Sequence, residues 1–95
     1  DKIDIFIISK KNVDGFIISN PNNPNGQTFS KEELTFIYDF CEKNKKVLIS
    51  DEIYHGIEFK NKVASMLNFG KNAIVINSFS KFFCMPGWRL GWVII

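Results

Sequence analysis

In the stretch Ser78-Phe-Ser-Lys81-Phe-Phe-Cys-Met-Pro-Gly-Trp-Arg89-Leu-Gly-Trp92, one lysine and one arginine stand alone in an apolar, glycine-punctuated run. A lysine in such a setting loses hydration in its ammonium form, so its pKa falls and its amine becomes a nucleophile toward a carbonyl. Arg89 cannot neutralise itself in that way, and its planar fork is best satisfied by a phosphate or a carboxylate. Together the two charges point to one bound molecule that carries both an aldehyde and an oxyanion.

The elements that position these residues can be read from the pattern around them. Within Val13 to Ser19, Gly15-Phe-Ile-Ile-Ser is a continuous apolar run of the kind found in a strand buried on both faces, and it stops at Asn20-Pro21. Asn20 to Gly26 is a stiff loop, because two prolines fix backbone angles while asparagine and glycine take turn conformations that other residues avoid. Ser30-Lys-Glu-Glu33 is a capping-box signature, followed by Leu34, Ile37, Tyr38 and Cys41 on one helical face, so a helix is expected from about Lys31 to Lys43. Val47 to Ser50, ending on Asp51, and Ala73 to Asn77, ending on Ser78, read as further buried strands. Strand, helix, strand in this order predicts a right-handed crossover between parallel neighbours. One turn of helix is expected around Ala64 to Leu67. Trp88 to Ile95 reads as a fourth strand, antiparallel to the third because the Pro86-Gly87 turn is too short for a crossover. Ile3 to Ser9 is isoleucine-rich but too short to assign.

In an open parallel sheet, ligands bind beyond the carboxyl ends of the strands. Here those ends deliver Asn20 to Asn23, Asp51 to Tyr54 and Ser78 to Lys81 to one rim. A cofactor site there follows from the order of the elements, and pyridoxal phosphate is a molecule with the aldehyde and the oxyanion that Lys81 and Arg89 call for.

Composition narrows the alternatives. The 95 residues allow one compact core; 45% are apolar, and ten phenylalanines mark a folded chain rather than a disordered tail. A net charge of +2 from twelve bases and ten acids gives no electrostatic reason to expect nucleic acid or an anionic membrane. No apolar run approaches the ~20 residues that span a bilayer, and a cytoplasmic protein is expected. Cys41 and Cys84 form no C-x-x-C pair and there is one histidine, so no zinc site is signalled. Both cysteines, the Phe82-Phe83 pair, Trp88 and Trp92 are expected in or near the core. The chain begins at Asp1 without a methionine and reads as a piece of a longer protein.

Asn-Pro-Asn-Asn-Pro-Asn-Gly26, Asp51-Glu-Ile-Tyr54, and Ser78-Phe-Ser-Lys81 with Gly87-Trp-Arg-Leu-Gly-Trp92 resemble the three signature blocks of the class I/II aminotransferases, fold-type I pyridoxal phosphate enzymes. The resemblance runs from about Val13 to the end of the chain, in the family's order. It implies an α/β fold, with a mostly parallel sheet whose last strand is antiparallel. The stretch 1–95 would be part of the large, cofactor-binding domain. The spatial strand order would be fourth, third, first, second.

The resemblance also implies roles. Lys81 would hold the cofactor as a Schiff base and shuttle a proton as general acid/base, while Asp51 would pair with the pyridine nitrogen. Asn23 and Tyr54 would hydrogen-bond the cofactor's 3-oxygen, and Ser78 and Arg89 would hold its phosphate. The implied reaction moves an amino group from an amino acid to a 2-oxo acid, in a homodimer. The 95 residues alone would be inactive, since the family completes the site with parts outside this stretch. Asn25 stands where the family has threonine, Cys84 where small residues or leucine are usual, and His55 matches no assigned role. Two alternatives remain: a β-lyase of the same fold, and a phosphate- or nucleotide-binding module in which Asp51 and Glu52 form a magnesium-binding strand end. The second lacks a G-x-x-x-x-G-K-[ST] loop in this chain.

Overall fold

The computed structural model describes residues 12–95. Ile3 to Ser9 lies outside the described residues. The described chain runs β1 (Gly15–Ser19), α1 (Lys31–Lys43), β2 (Val47–Asp51), β3 (Ala73–Ser78) and β4 (Gly91–Ile94), with short 3-10 turns at Met66–Asn68 and Pro86–Trp88. Helix α1 has the boundaries expected from its sequence because its ends are chemically marked. Ser30 Oγ accepts from Glu33 N, and Ser30 N donates to Glu33 Oε2, which satisfies two of the orphan amides of the first turn. Glu32 and Glu33 at the start and Lys43 at the end suit the helix dipole.

The four strands form one sheet in the order β1-β2-β3-β4. Strands β1 and β2 are parallel, β2 and β3 are parallel, and β3 and β4 are antiparallel. The mixed α/β sheet is the expected one, but its strand order is not the expected fourth, third, first, second. β3 lies beside β2, so β2 is internal. The segment 52–72 causes this. Glu52 N donates to Ile76 O at 2.8 Å, and Met66 plugs into the core fully buried, so the chain returns along the free edge of β2. The central placement of β2 is visible in its inward side chains, with Leu48 and Ser50 both buried.

Alternation along the strands separates two faces. Ile18, Leu48, Ala73 and Val75 pack with Leu34, Ile37, Tyr38 and Cys41 of α1 to make the core, and Met66 seals one end. On the opposite face Ile17 is 75% exposed, and Ile76 and Val93 are open as well. The apolar runs read as strands buried on both sides are therefore covered on one side by the described residues. No helix among the described residues is long and apolar enough to cross a membrane.

Candidate functional site

The carboxyl ends of β1, β2 and β3 lie side by side, with Ser19 in register with Asp51 and Asp51 with Ile76. Beyond β1, Asn20 N donates to Asp51 O at 3.0 Å while the buried Asn20 side chain accepts from Phe29 N. That pair of bonds fixes the start of the Asn-Pro loop, whose Asn20-Pro21 and Asn23-Pro24 bonds are both cis. Asn22 N and Gly26 N close the loop on Gln27 O and Asn22 O, and Gly26 takes the positive φ of 68° that the turn requires.

Three of the expected site residues meet. Asn23 Nδ2 donates to Tyr54 Oη at 3.0 Å across a sequence gap of 31 residues, and Lys81 Nζ lies 5.6 Å from the Tyr54 ring centroid. Tyr54 thus joins the loop after β1 to the loop after β3. Because its oxygen accepts from Asn23, its own O–H is left to donate to another acceptor. Asp51 is half-buried at the end of β2, where one carboxylate oxygen accepts from Ile53 N at 3.2 Å.

Ser78 and Arg89 sit at the far side of the same rim. Ser78 Oγ donates to Leu90 O and accepts from Ser80 N, which locks the exit of β3 to the entry of β4. Arg89 has φ 54°, a left-handed conformation uncommon for a residue with a Cβ, and its guanidinium donates to Pro86 O at 3.0 Å. Cys84, on the same loop, also has φ 54°. Left-handed non-glycine residues persist where surrounding structure over-determines them, and here both lie between Lys81 and β4. Neither Lys81 nor Arg89 has a carboxylate partner among the described residues, where Glu52 approaches His55 Nδ1 at 3.6 Å.

The environment of Lys81 departs from the sequence expectation. Lys81, Phe82, Phe83 and Cys84 are all exposed, as are Trp88 and Trp92, so neither the aromatic residues nor Cys84 belongs to the core. The apolar run instead makes a surface cluster. Phe79 packs on Trp92 with ring centroids 4.9 Å apart and on Phe83 at 5.2 Å, and Phe82 meets Phe83 edge-on. This cluster stiffens the Lys81 loop from outside. Cys41 is buried as expected, and burial pushes its thiol pKa up.

Two contacts that the sequence did not disclose support the site. Gly56, with φ 91°, lies against the Phe82 ring so closely that a Cβ would approach Phe82 Cδ2 to 2.6 Å. The turn after Tyr54 and the loop of Lys81 are therefore in direct contact. Glu52 is buried at 2% exposure and turns inward, where it accepts from Ser50 Oγ and Met66 N. Asp51 and Glu52 consequently do not present their carboxylates together at the rim, which removes the arrangement on which the magnesium-binding alternative rested.

A cleft of about 560 Å³ adjoins the site between the Asn-Pro loop and the segment 57–61, with Asn23 and Tyr54 in its wall. Lys81, Asp51, Ser78 and Arg89 lie outside it. The donor set fits pyridoxal phosphate: two cations without carboxylate partners, a phenol free to donate, and a strand-end carboxylate, all on one rim.

Residues 4–95 match the family model of the aminotransferase class I and II family. The chain belongs to that family. It is 40% identical over 83 residues to a valine–pyruvate aminotransferase of Mycobacterium tuberculosis, an alignment covering 85% of this chain and 21% of that protein. Over 81 residues it is 43% identical to a (5-formylfuran-3-yl)methyl phosphate transaminase of Methanocaldococcus jannaschii, covering 82% and 21%. The fold superposes on the crystal structure of an aminotransferase from Mycobacterium tuberculosis with a TM-score of 0.90 at 35% identity, covering 96% of this chain and 26% of that one. An alanine aminotransferase from Pyrococcus furiosus gives 0.88 at 34% identity, covering 96% and 24%. The chain spans about a fifth of the length of the curated relatives it matches.

Proposed function

We propose that the protein carrying this chain is a pyridoxal phosphate-dependent aminotransferase that moves an amino group from an amino acid to a 2-oxo acid. Residues 1–95 form part of its large, cofactor-binding domain, and the whole enzyme works as a homodimer. The observation that carries this reading is the meeting of Asn23, Tyr54 and Lys81 from three separate loops on one rim. Family membership supplies the reaction class.

When bound, pyridoxal phosphate supplies an aldehyde that takes up the amino group and a ring that accepts electrons released at the substrate α-carbon. Lys81 would hold the cofactor through its amine and would serve as the general acid/base for the proton at the substrate α-carbon. Asp51 would hold the pyridine nitrogen by accepting a hydrogen bond from it. Tyr54 and Asn23 would donate to the 3-oxygen, since Asn23 Nδ2 retains a second hydrogen after serving Tyr54. Ser78 and Arg89 would hold the phosphate, for which a guanidinium already held in place by Pro86 O would lose less freedom on binding.

A screen of amino donors against 2-oxo acids with the full-length protein tests this directly. Transfer of the amino group is expected for some donor, and Lys81→Ala should reduce the rate by roughly 10³-fold or more. Release of a thiol, ammonia and a 2-oxo acid from a sulfur amino acid, with no amino transfer to any acceptor, would overturn the aminotransferase reading in favour of a β-lyase.

A further inference from the structure

Glu52 stands between two residues of the proposed site, Asp51 and Tyr54, yet faces away from it. A buried carboxylate is costly unless its oxygens are satisfied, and this one is bound from several directions. Oε1 accepts from Ser50 Oγ at 3.0 Å and from Met66 N at 2.7 Å. Oε2 lies 3.6 Å from His55 Nδ1, an electrostatic contact rather than a hydrogen bond. The backbone of Glu52 is engaged as well, with its N–H on Ile76 O at 2.8 Å and its carbonyl accepting from His55 N at 3.0 Å.

These contacts have one geometric result. They tie the turn 52–55 at its first residue to β3, at its last residue to Glu52 itself, and underneath to Met66 on the other side of the 52–72 segment. Tyr54 is carried on that turn and Asp51 immediately precedes it. His55 Nε2 is buried without a hydrogen-bond partner, so the imidazole is held by packing and by its contact with Glu52, while the His55 backbone is held by its own bond to Glu52 O.

We propose that Glu52 is a positioning residue for the cofactor site: it fixes the 51–55 turn so that the Tyr54 phenol stays at the Asn23 amide and beside Lys81, and it acts on the cofactor–Lys81 linkage through Tyr54. The inference rests on the proposed pyridoxal phosphate site. Loss of the Tyr54 donor raises the pH at which the linkage nitrogen loses its proton, because the 3-oxygen is then less stabilised as an anion. Loosening Glu52 must move that pH in the same direction, by the same route.

The test uses the full-length protein loaded with pyridoxal phosphate and reads the pH midpoint of its visible absorbance band. Wild type, Tyr54→Phe, Glu52→Gln, Glu52→Ala and the double variant Glu52→Gln/Tyr54→Phe are compared, with thermal unfolding recorded for each. Tyr54→Phe is expected to raise the midpoint by about one pH unit or more. Glu52→Gln should raise it by at least half as much and add nothing in the Tyr54→Phe background. A Glu52→Gln midpoint equal to wild type, or a shift that adds in full to that of Tyr54→Phe, would overturn the inference. If the Glu52 variants do not fold, Ser50→Ala, which removes one donor from Oε1, should give a smaller shift of the same sign. No shift there would overturn it equally. A wild-type protein with no visible band would instead contradict the proposed cofactor, which keeps the two failures distinct.

Discussion

Tyr54 is the residue on which the site turns, because one hydrogen bond and one ring contact make it common to two loops that the sequence separates widely. Under the proposed function Tyr54 would donate to an anionic oxygen, a bond of about 1.5–3 kcal/mol, so Tyr54→Phe should lower kcat/KM of the full-length protein by roughly 10- to 100-fold with little change in thermal stability. A loss no larger than twofold would remove Tyr54 from the site. Cysteine reactivity gives a second check at this scale. Cys41 is buried and its thiol pKa raised by burial, whereas Cys84 is exposed. A group whose pKa is raised holds its proton to higher pH, so at pH 8 Cys41 offers little thiolate as well as little access. Alkylation followed by peptide mapping should modify Cys84 at least roughly tenfold faster than Cys41. The gathering of Asn23, Asp51, Tyr54 and Lys81 toward one rim was legible because each lies at or just beyond a recognisable strand end. The exposure of Lys81 was not, since a run rich in phenylalanine packs equally well as a core or as the Phe79–Phe83–Trp92 surface cluster.

Helix α1 was legible to the residue because its capping box and its single apolar face are local signals, set by spacing alone. Ser30→Ala removes the Oγ that serves Glu33 N and should cost about 1 kcal/mol in a denaturant titration of the full-length protein. The strand segments were equally legible, although β4 begins at Gly91 rather than Trp88 because Pro86–Trp88 forms a 3-10 turn. Strand order was not legible, because it depends on where the segment 52–72 returns. That path is set by Met66 in the core and by the Glu52 bonds, neither of which leaves a periodic trace in the sequence. Gly56 belongs to the same hidden layer. Gly56→Ala strains a backbone at φ 91° and pushes on the Phe82 ring, so it should destabilise by about 1–2 kcal/mol and weaken cofactor retention by separating the turn of Tyr54 from the loop of Lys81. Unchanged retention in a folded Gly56→Ala protein would show that the two loops hold their positions independently.

At the scale of the molecule, the described residues dress one face of the sheet and leave the other bare. Helix α1 covers Ile18, Leu48 and Val75, while Ile17, Ile76 and Val93 stay open on the other side and all four residues of β4 are exposed. Parallel sheets are ordinarily covered on both faces. Apolar area of this kind drives association in water, and an open strand edge adds to it. Residues 1–95 expressed alone should therefore self-associate, and light scattering showing a clean, stable monomer would contradict that expectation. The chemistry proposed for the rim belongs to the whole protein, since this chain spans about a fifth of the curated relatives it matches. Its most direct test is the covalent one. The full-length protein is incubated with pyridoxal phosphate, reduced with borohydride and digested, and the added mass is located. The proposed function predicts a visible band before reduction and a pyridoxyl adduct on Lys81, both lost in Lys81→Ala. A protein with no band and no adduct, or with an adduct at another lysine that persists in Lys81→Ala, would contradict it.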